Sequence, residues 1–212
     1  MSSDFSLPDK WLKKLDRQLQ ELIDRIGMDR KTLDEVFDKP TLLRIGKLIS
    51  NKIIDHFDFP ISTGKEAIVF RAVTPNDDFV AIKIYRTSNL AFKHIAKYIE
   101  GDPRFNLINK SRRDVIFEWA KKEYKNLERL KNANIRVPSP IKKMNNILVM
   151  QYIGDTERPA PSLKDSTLDN PKKIFDTILR FISLMYNKAG IVHADLSAVS
   201  YTHLTLPTTP YV

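Results

Sequence analysis

The chain has 212 residues, 42% of them hydrophobic and 29% charged, values that are ordinary for a globular protein. Its formal net charge of +9 at pH 7 points either to a polyanionic partner such as nucleic acid or to a basic surface without one. The lack of cysteine excludes disulfides and thiolate metal sites, and neither a membrane span nor a secretory signal pattern is present, so we expect a cytoplasmic protein with no membrane partner.

The N-terminal part of the chain is predicted to be helical. Over residues 6–27, apolar side chains recur every three or four residues, with Lys13 and Arg17 on the opposite face. This pattern predicts an amphipathic helix that either packs on the domain behind it, which we favour, or binds a partner. Two more helices are predicted over residues 29–38 and 40–54. Together they form an extension over residues 1–56 with no chemistry of its own.

The pattern then changes to extended segments rich in β-branched and aromatic residues, which predict a small antiparallel sheet. The segments are Phe59–Ser62, Ala67–Val73 and Phe79–Tyr85, with a turn at Thr74–Asp78. The first connection contains Gly64, whose lack of a Cβ would let backbone amides approach an anion. One glycine is a weak signal for a phosphate loop, because a glycine between two strands usually marks only a turn.

The third predicted strand places Lys83 on the face opposite Ile82 and Ile84. Beside a phosphate loop, that face would look into a cleft, where a lysine would hold nucleotide phosphates. The alternative is a lysine on the solvated face of an edge strand. For Lys83 considered alone, this alternative is favoured.

The second half of the chain alternates helices with a hairpin. Its predicted elements are a short helix near residues 91–99, a basic loop to Arg113, a helix over 114–131, a hairpin around Asn145-Asn146 with a buried strand over 147–153, a connector over 156–168, and a helix from the Asn170-Pro171 cap to Gly190. Glu123 lies on the helix over 114–131 and could pair with Lys83. Glu118 and Glu128 compete for the same role.

The last helix leads into the sequence Ile191-Val192-His193-Ala194-Asp195-Leu196-Ser197. The apolar pair Ile191-Val192 precedes His193, and Asp195 comes two residues after the histidine. This pattern is typical of the start of a kinase-type catalytic loop. In such loops the carboxylate orients the attacking hydroxyl and accepts its proton.

These motifs, in this order and spacing, resemble the RIO family of atypical serine/threonine protein kinases, most closely its first subfamily. The resemblance covers roughly residues 33–197. It implies an α+β, two-lobed protein-kinase-like fold with the helical N-terminal extension over 1–56. The N-lobe would span 57–153, and the beginning of an incomplete second lobe would span 154–197.

The resemblance also implies roles for individual residues toward ATP. The stretch covering the phosphates would be Ser62, Thr63, Gly64, Lys65, Glu66 and Ala67. Lys83 would contact phosphates and pair with Glu123. The adenine pocket would have Met150 at its back and hinge hydrogen bonds from Gln151 and Ile153. Asp195 would be the catalytic carboxylate.

The chain departs from the family after Ser197. The family continues with an asparagine and then an aspartate that hold metal ions, Mg²⁺ or Mn²⁺ in the complete protein. No asparagine or aspartate follows Asp195 here, so we predict no metal ligands in this chain. Because these ligands are missing, we expect weak ATP binding and no catalysis from this chain. Residues 198–212 are rich in Thr and Pro and resemble translated sequencing-adapter DNA fused to a truncated reading frame. A smaller departure is Ile68, where the family usually has asparagine.

The resemblance implies an ATP-dependent serine kinase or ATPase acting in small ribosomal subunit maturation. Its partners would be the precursor ribosomal RNA and proteins, and its substrate a protein serine, either in another protein or in itself at Ser111. One alternative is a catalytically inactive scaffold that binds ribosomal RNA or protein. A second is a small-molecule phosphotransferase, which shares the two-lobed architecture.

Overall fold

The computed structural model describes residues 13, 17, 36–88, 92, 93, 95, 111–193 and 196. Packing divides the chain into two compact units: unit 1 comprises Met1–Ala120 with Lys142–Val149, and unit 2 comprises Lys121–Ile141 with Met150–Val212. In the predicted helix over 6–27, Lys13 and Arg17 are helical and exposed, as predicted for its polar face. The rest of that helix, residues 29–35 of the next one and the tail over 198–212 lie outside the described residues.

Helix α1 spans Lys39–Ser50, and its beginning is fixed by Asp38. The Asp38 side chain accepts a hydrogen bond from the Thr41 N–H at 2.9 Å, the usual role of an N-cap aspartate. Residues 36–38 are therefore not helical, which corrects the end of the helix predicted over 29–38.

The sequence pattern predicted that this helix would run to Ile54. Helix α1 instead ends at Ser50. Lys52 adopts a left-handed conformation with φ of 56°, and the Ile53 N–H turns back to the Leu48 carbonyl at 3.0 Å. This is a Schellman ending made without glycine, which explains why the sequence did not reveal it.

Five strands form one sheet in the order β1-β2-β3-β5-β4. The strands are β1 (His56–Thr63), β2 (Ala67–Val73), β3 (Phe79–Tyr85), β4 (Pro140–Met144) and β5 (Ile147–Gln151). Strands β1, β2 and β3 pair antiparallel, which confirms the prediction for this part of the chain. Strand β5 ends at Gln151, two residues before the predicted Ile153.

The hydrophobic core of unit 1 lies between helix α1 and one face of the sheet. Ile45 and Leu48 of α1 are completely buried together with Phe70, Ile82 and Ile84 of the sheet. Alternation along β2 and β3 supplies this apolar face, as the period of two predicts. Helix α1 is thus part of the core of unit 1.

A buried asparagine joins three elements of unit 1. Asn146 is completely buried, and its side-chain amide donates to the Thr41 hydroxyl and to the Tyr85 carbonyl, both at 3.0 Å. Its side-chain oxygen accepts a hydrogen bond from Arg44 at 3.0 Å. Every polar group of this buried amide thus has a hydrogen-bond partner. Because an unsatisfied polar group in a buried position costs free energy, these bonds favour one arrangement of the three elements.

Helix α2 spans Arg112–Asn132, and the boundary between the two units falls within it. The Ser111 N–H donates to the Asp114 carboxylate at 3.2 Å, and the Asp114 N–H donates to the Ser111 hydroxyl at 3.3 Å. This reciprocal pair is a capping box, and it starts the helix two residues before the predicted Asp114.

Unit 2 continues with a single 3-10 turn at Leu163–Asp165 and with helix α3 at Pro171–Leu184. The Asn170 side chain caps α3 by accepting from the Lys173 N–H at 3.0 Å, as predicted. A π turn over Met185–Ala189 prolongs the helix, and Gly190 ends it with φ of 58°. None of the helices that the structure describes is long and apolar enough to cross a membrane.

Candidate active site

The turn between β1 and β2 is closed by its own backbone. The Gly64 N–H donates to the Ala67 carbonyl at 2.9 Å, and a Cβ at Gly64 would lie 3.3 Å from the same oxygen. Gly64 is therefore explained by close packing within the turn, and its N–H is already used there. That backbone amides of this turn approach an anion stays a prediction. Thr63 and Lys65, on either side of Gly64, are exposed.

The sheet register brings the start of this turn into line with Lys83. Ser62 of β1 is paired with Val69 of β2, and Val69 is paired with Lys83 of β3. Directly paired residues project from the same face of a sheet, and adjacent strands lie about 4.8 Å apart. Ser62 and Lys83 therefore lie about 10 Å apart on the face opposite the core of unit 1.

Lys83 lies on the central strand of the sheet, because β3 is flanked by β2 and β5. The alternative that it sits on an edge strand is wrong. Lys83 is half-buried, and its ammonium lies 5.1 Å from the centroid of the Tyr85 ring. A cation this close to a buried aromatic ring is held in place rather than moving freely in solvent.

A second cation on the same face, Arg71, stabilises the fold. Arg71 is buried, and its guanidinium lies 4.3 Å from the Phe59 ring and 4.2 Å from the Phe79 ring. Its Nε donates to the Asp58 carboxylate at 2.7 Å. The sequence does not reveal this cluster, because its members come from three different strands.

Among the glutamates of helix α2, burial singles out Glu123. It is 2% exposed, whereas Glu118 is half-buried and Glu128 is exposed. Burial raises the pKa of Tyr124, and the charge of Glu128 and its hydrogen bond to the tyrosine raise it further. Glu128 is thus engaged with Tyr124, which favours Glu123 as the functional glutamate.

The residues predicted to contact adenine lie at the end of β5 and just after it. Met150 is buried, Gln151 is exposed and Ile153 is half-buried. The Gln151 N–H donates to the Ser139 carbonyl at 2.8 Å, and the Ile153 carbonyl accepts from the Ala160 N–H at 3.0 Å. These two backbone groups already have partners within unit 2.

The structure describes Ile191–His193 and Leu196 of the catalytic stretch. Ile191 is 1% exposed, Val192 is 51% exposed and His193 is half-buried. The predicted catalytic residue, Asp195, lies outside the described residues. Within the ranges that the structure describes, no group of three or more His, Cys, Asp or Glu side chains could hold a metal ion.

Arg129, near the end of helix α2, makes a contact that was not predicted from the sequence. Its Nη2 donates to the Ala189 carbonyl at 2.5 Å and to the Gly190 carbonyl at 3.2 Å. A basic residue in the last turn of a helix is a sequence signal for carbonyl binding. The signal usually points to the carbonyls of the same helix, and these acceptors are 60 and 61 residues away.

The sequence matches the model of the RIO domain over residues 68–203. It is 39% identical over 191 residues to the RIO-type serine/threonine-protein kinase Rio1 of Haloferax volcanii, covering 89% of this chain and 66% of that protein. It is 40% identical over 189 residues to the serine/threonine-protein kinase rio1 of Dictyostelium discoideum, covering 87% of this chain and 33% of that protein. The chain thus spans less than two thirds of the length of these relatives.

The fold is similar to that of a solved Rio2 kinase from Chaetomium thermophilum, described as a complex with ADP/Mg²⁺ and phosphoaspartate. The TM-score is 0.58 at 19% sequence identity, over 75% of this chain and 44% of that one. At this identity the likeness shows the fold, and it confirms the kinase-like α+β class predicted from the sequence.

Proposed function

The chain belongs to the RIO family of serine/threonine protein kinases, and from this premise we propose that it binds ATP and belongs to an ATP-dependent kinase that transfers phosphate to serine. The observation that carries the proposal is the row of Ser62, Val69 and Lys83 across the sheet. It places a half-buried lysine of the central strand two strands from the start of the glycine turn.

In this proposal Lys83 binds ATP phosphates, and residues 62–67 cover them. A lysine ammonium is a compact point charge that suits phosphate oxygens, and Tyr85 holds it from one side at 5.1 Å. Glu123 is the proposed partner of Lys83. Its near-complete burial supports this role, because a buried carboxylate needs a cationic or hydrogen-bonding partner.

Adenine would stack beside buried Met150 and bind to the backbone that follows it. Because the Gln151 N–H and the Ile153 carbonyl already have partners, we assign the opposite groups to adenine. The Gln151 carbonyl would accept a hydrogen bond from the exocyclic amine, and the Ile153 N–H would donate to a ring nitrogen. The ATP site is thus proposed to use one acceptor and one donor from this segment.

Asp195 is proposed to orient the serine hydroxyl and to accept its proton as the oxygen attacks the γ-phosphorus. The bond to the β-phosphate oxygen breaks in the same transfer, and ADP leaves. General-base assistance of this kind contributes about 10²–10⁴-fold to a rate.

The residues present do not complete a metal site of the kind that the resemblance implies. Asp195 is the last acidic residue of the chain, and no asparagine follows it. Bound Mg²⁺ or Mn²⁺ offsets phosphate charge in phosphoryl transfer, but we derive no step through it here. We therefore expect weak ATP binding and no catalysis from this polypeptide, and phosphate transfer only from the complete protein that carries both metal ligands.

The proposed setting is the cytoplasm, with the small ribosomal subunit precursor as partner. The net charge of +9 supports a ribonucleoprotein partner. Ser111 is the proposed site of autophosphorylation, and its exposure leaves it accessible to a second molecule. Its hydroxyl is, however, bound to Asp114, so phosphorylation requires the capping box to open.

The test is phosphate transfer from radiolabelled ATP by the complete protein, with peptide mapping of the product. Asp195→Asn should lose at least about hundredfold in transfer rate while its ATP affinity stays within about twofold. Asp169→Asn, an exposed aspartate of unit 2, is the matched control and should be unaffected. Unchanged transfer by Asp195→Asn would refute the assignment.

A second candidate is a scaffold that binds ribosomal RNA without catalysis, and the missing metal ligands after Asp195 favour it. A scaffold should bind RNA in a salt-sensitive way, and Lys83→Ala should leave that binding intact. It should show no phosphate transfer beyond that of Asp195→Asn.

A further inference from the structure

We propose that Arg129 is a positioning residue that sets the direction of the chain between helix α3 and Asp195. The role of Asp195 in this statement rests on the proposed function. The contact of Arg129 with the chain does not, because it is present in the structure whatever Asp195 does.

The contact joins the end of one helix to the end of another within unit 2. Nη2 of Arg129 donates to the carbonyls of Ala189 and Gly190, at 2.5 and 3.2 Å. Carbonyls at a helix C-terminus carry partial negative charge, so a guanidinium is the favoured partner there. Hydrogen bonds with a charged donor are about twice as strong as neutral ones.

The chain that Arg129 holds is already constrained from within. The Met185 carbonyl accepts from the Gly190 N–H and from the Ile191 N–H, the latter at 2.9 Å. Gly190 has φ of 58°, and a side chain there would meet Arg129 Nη2 at 3.1 Å. The N–H groups of Gly190 and Ile191 thus bind the Met185 carbonyl, and the carbonyls of Ala189 and Gly190 bind Arg129. Hydrogen bonds therefore hold both the N–H groups and the carbonyls of this turn.

Arg129 is exposed, and it extends from a well-anchored part of α2. Its neighbours Leu127 and Leu130 are 0% and 1% exposed, so this end of α2 is anchored in unit 2. Beyond it, Asn134 adopts φ of 59°, and the Ile135 N–H binds the Leu130 carbonyl at 3.0 Å. This Schellman ending stops the helix from fraying, so the guanidinium projects from a fixed support.

The consequence for chemistry follows from the precision that proton transfer requires. A general base must lie about 2.6–3.2 Å from the proton-bearing oxygen, and misplacement by about 1 Å can cost 10²-fold in rate. Ile191 is almost completely buried and stands four residues before Asp195. A residue that fixes the backbone at 189–190 therefore acts on catalysis through Asp195 and touches no substrate.

The experiment is hydrogen–deuterium exchange on the whole chain, resolved at the amides of Gly190 and Ile191. Arg129→Met keeps the apolar stem and removes the donor, Arg129→Lys keeps the charge, and Arg136→Met removes an exposed arginine of the same unit as a control. We expect both amides to exchange about tenfold to hundredfold faster in Arg129→Met. Arg129→Lys should fall between this variant and the wild type, and it serves alone if Arg129→Met does not fold.

Exchange across β2 and β3 should stay unchanged, which separates positioning from general stability. Unchanged exchange at Gly190 and Ile191, or an equal rise throughout the sheet, would overturn the proposal. The same substitutions are then assayed in the complete protein for ATP affinity and phosphate transfer. Arg129→Met should lower transfer while ATP affinity stays within about twofold, and wild-type transfer in this variant would also overturn the proposal. If the complete wild-type protein neither binds ATP nor transfers phosphate, the proposed function fails, and the exchange result still decides whether Arg129 directs the chain.

Discussion

Strand β3 of unit 1 and helix α3 of unit 2 are buried to very different degrees. In β3, five of the seven residues are buried, because the strand lies in the middle of the sheet. Helix α3, described over its whole length, has one buried residue, Phe181, among fourteen. Lys83, the lysine proposed to bind ATP, therefore stands on a well-packed strand, whereas the end of α3 is held by contacts such as that of Arg129 with Ala189.

The largest expected effect comes from an aromatic residue in the core of unit 1. Phe70 is completely buried, with ring centroids of Phe57 and Phe37 at 5.3 and 5.7 Å. Phe70→Ala should lower the free energy of unfolding by about 3–5 kcal/mol, measured by urea denaturation. Phe175→Ala on α3, where the ring is 59% exposed, should change it by less than about 0.5 kcal/mol. Equal losses in the two variants would contradict the comparison.

The second prediction concerns the acid stability of unit 1. Burial alone would raise the pKa of Asp38, but hydrogen bonds from Thr41 and Thr87 and the charge of Arg113 outweigh it and leave the pKa below its usual value. A carboxylate with a depressed pKa in the folded state stabilises the fold above the unfolded pKa of about 3.9, and this contribution disappears as the pH falls through the folded pKa.

The wild type loses this contribution below about pH 4. Asp38→Asn has no carboxyl at this position, so its free energy of unfolding should fall less over the same pH range. At pH 7 it should cost less than about 1 kcal/mol, because asparagine is an equally good N-cap. Thermal unfolding between pH 2 and 7 measures both effects, with the exposed aspartate of α3 in Asp176→Asn as the control. Identical pH profiles for wild type and Asp38→Asn would exclude this role.

The smallest effect on stability is expected on the exposed face of α3. Leu179 and Ile182 are 48% and 43% exposed, so Leu179→Lys should change the free energy of unfolding by less than about 0.5 kcal/mol. It should nevertheless reduce self-association at high concentration, because exposed apolar stripes promote contact between molecules. Sedimentation velocity over a concentration series checks this. A clear loss of stability in Leu179→Lys would mean that the face is packed in solution.

The elements that the sequence predicted well are those with strong periodicity. Strands β2 and β3, helix α2 and the capped start of α3 follow from alternation, helical spacing and the Asn170-Pro171 pair. The misjudged features depend on partners distant in the sequence or on backbone detail. The central position of Lys83 follows from β5 pairing beside β3, the early end of α1 from a left-handed lysine, and the role of Arg129 from carbonyls 60 residues away.

The most direct test of the central claim is the ATP affinity of Lys83→Met measured beside that of Lys142→Met. Lys83 lies on the central strand, and Lys142 is exposed on the edge strand β4 of the same unit. If the sheet of unit 1 holds ATP phosphates through Lys83, the dissociation constant should rise at least about tenfold in Lys83→Met and stay unchanged in Lys142→Met. Equal affinities in the two variants would contradict the account.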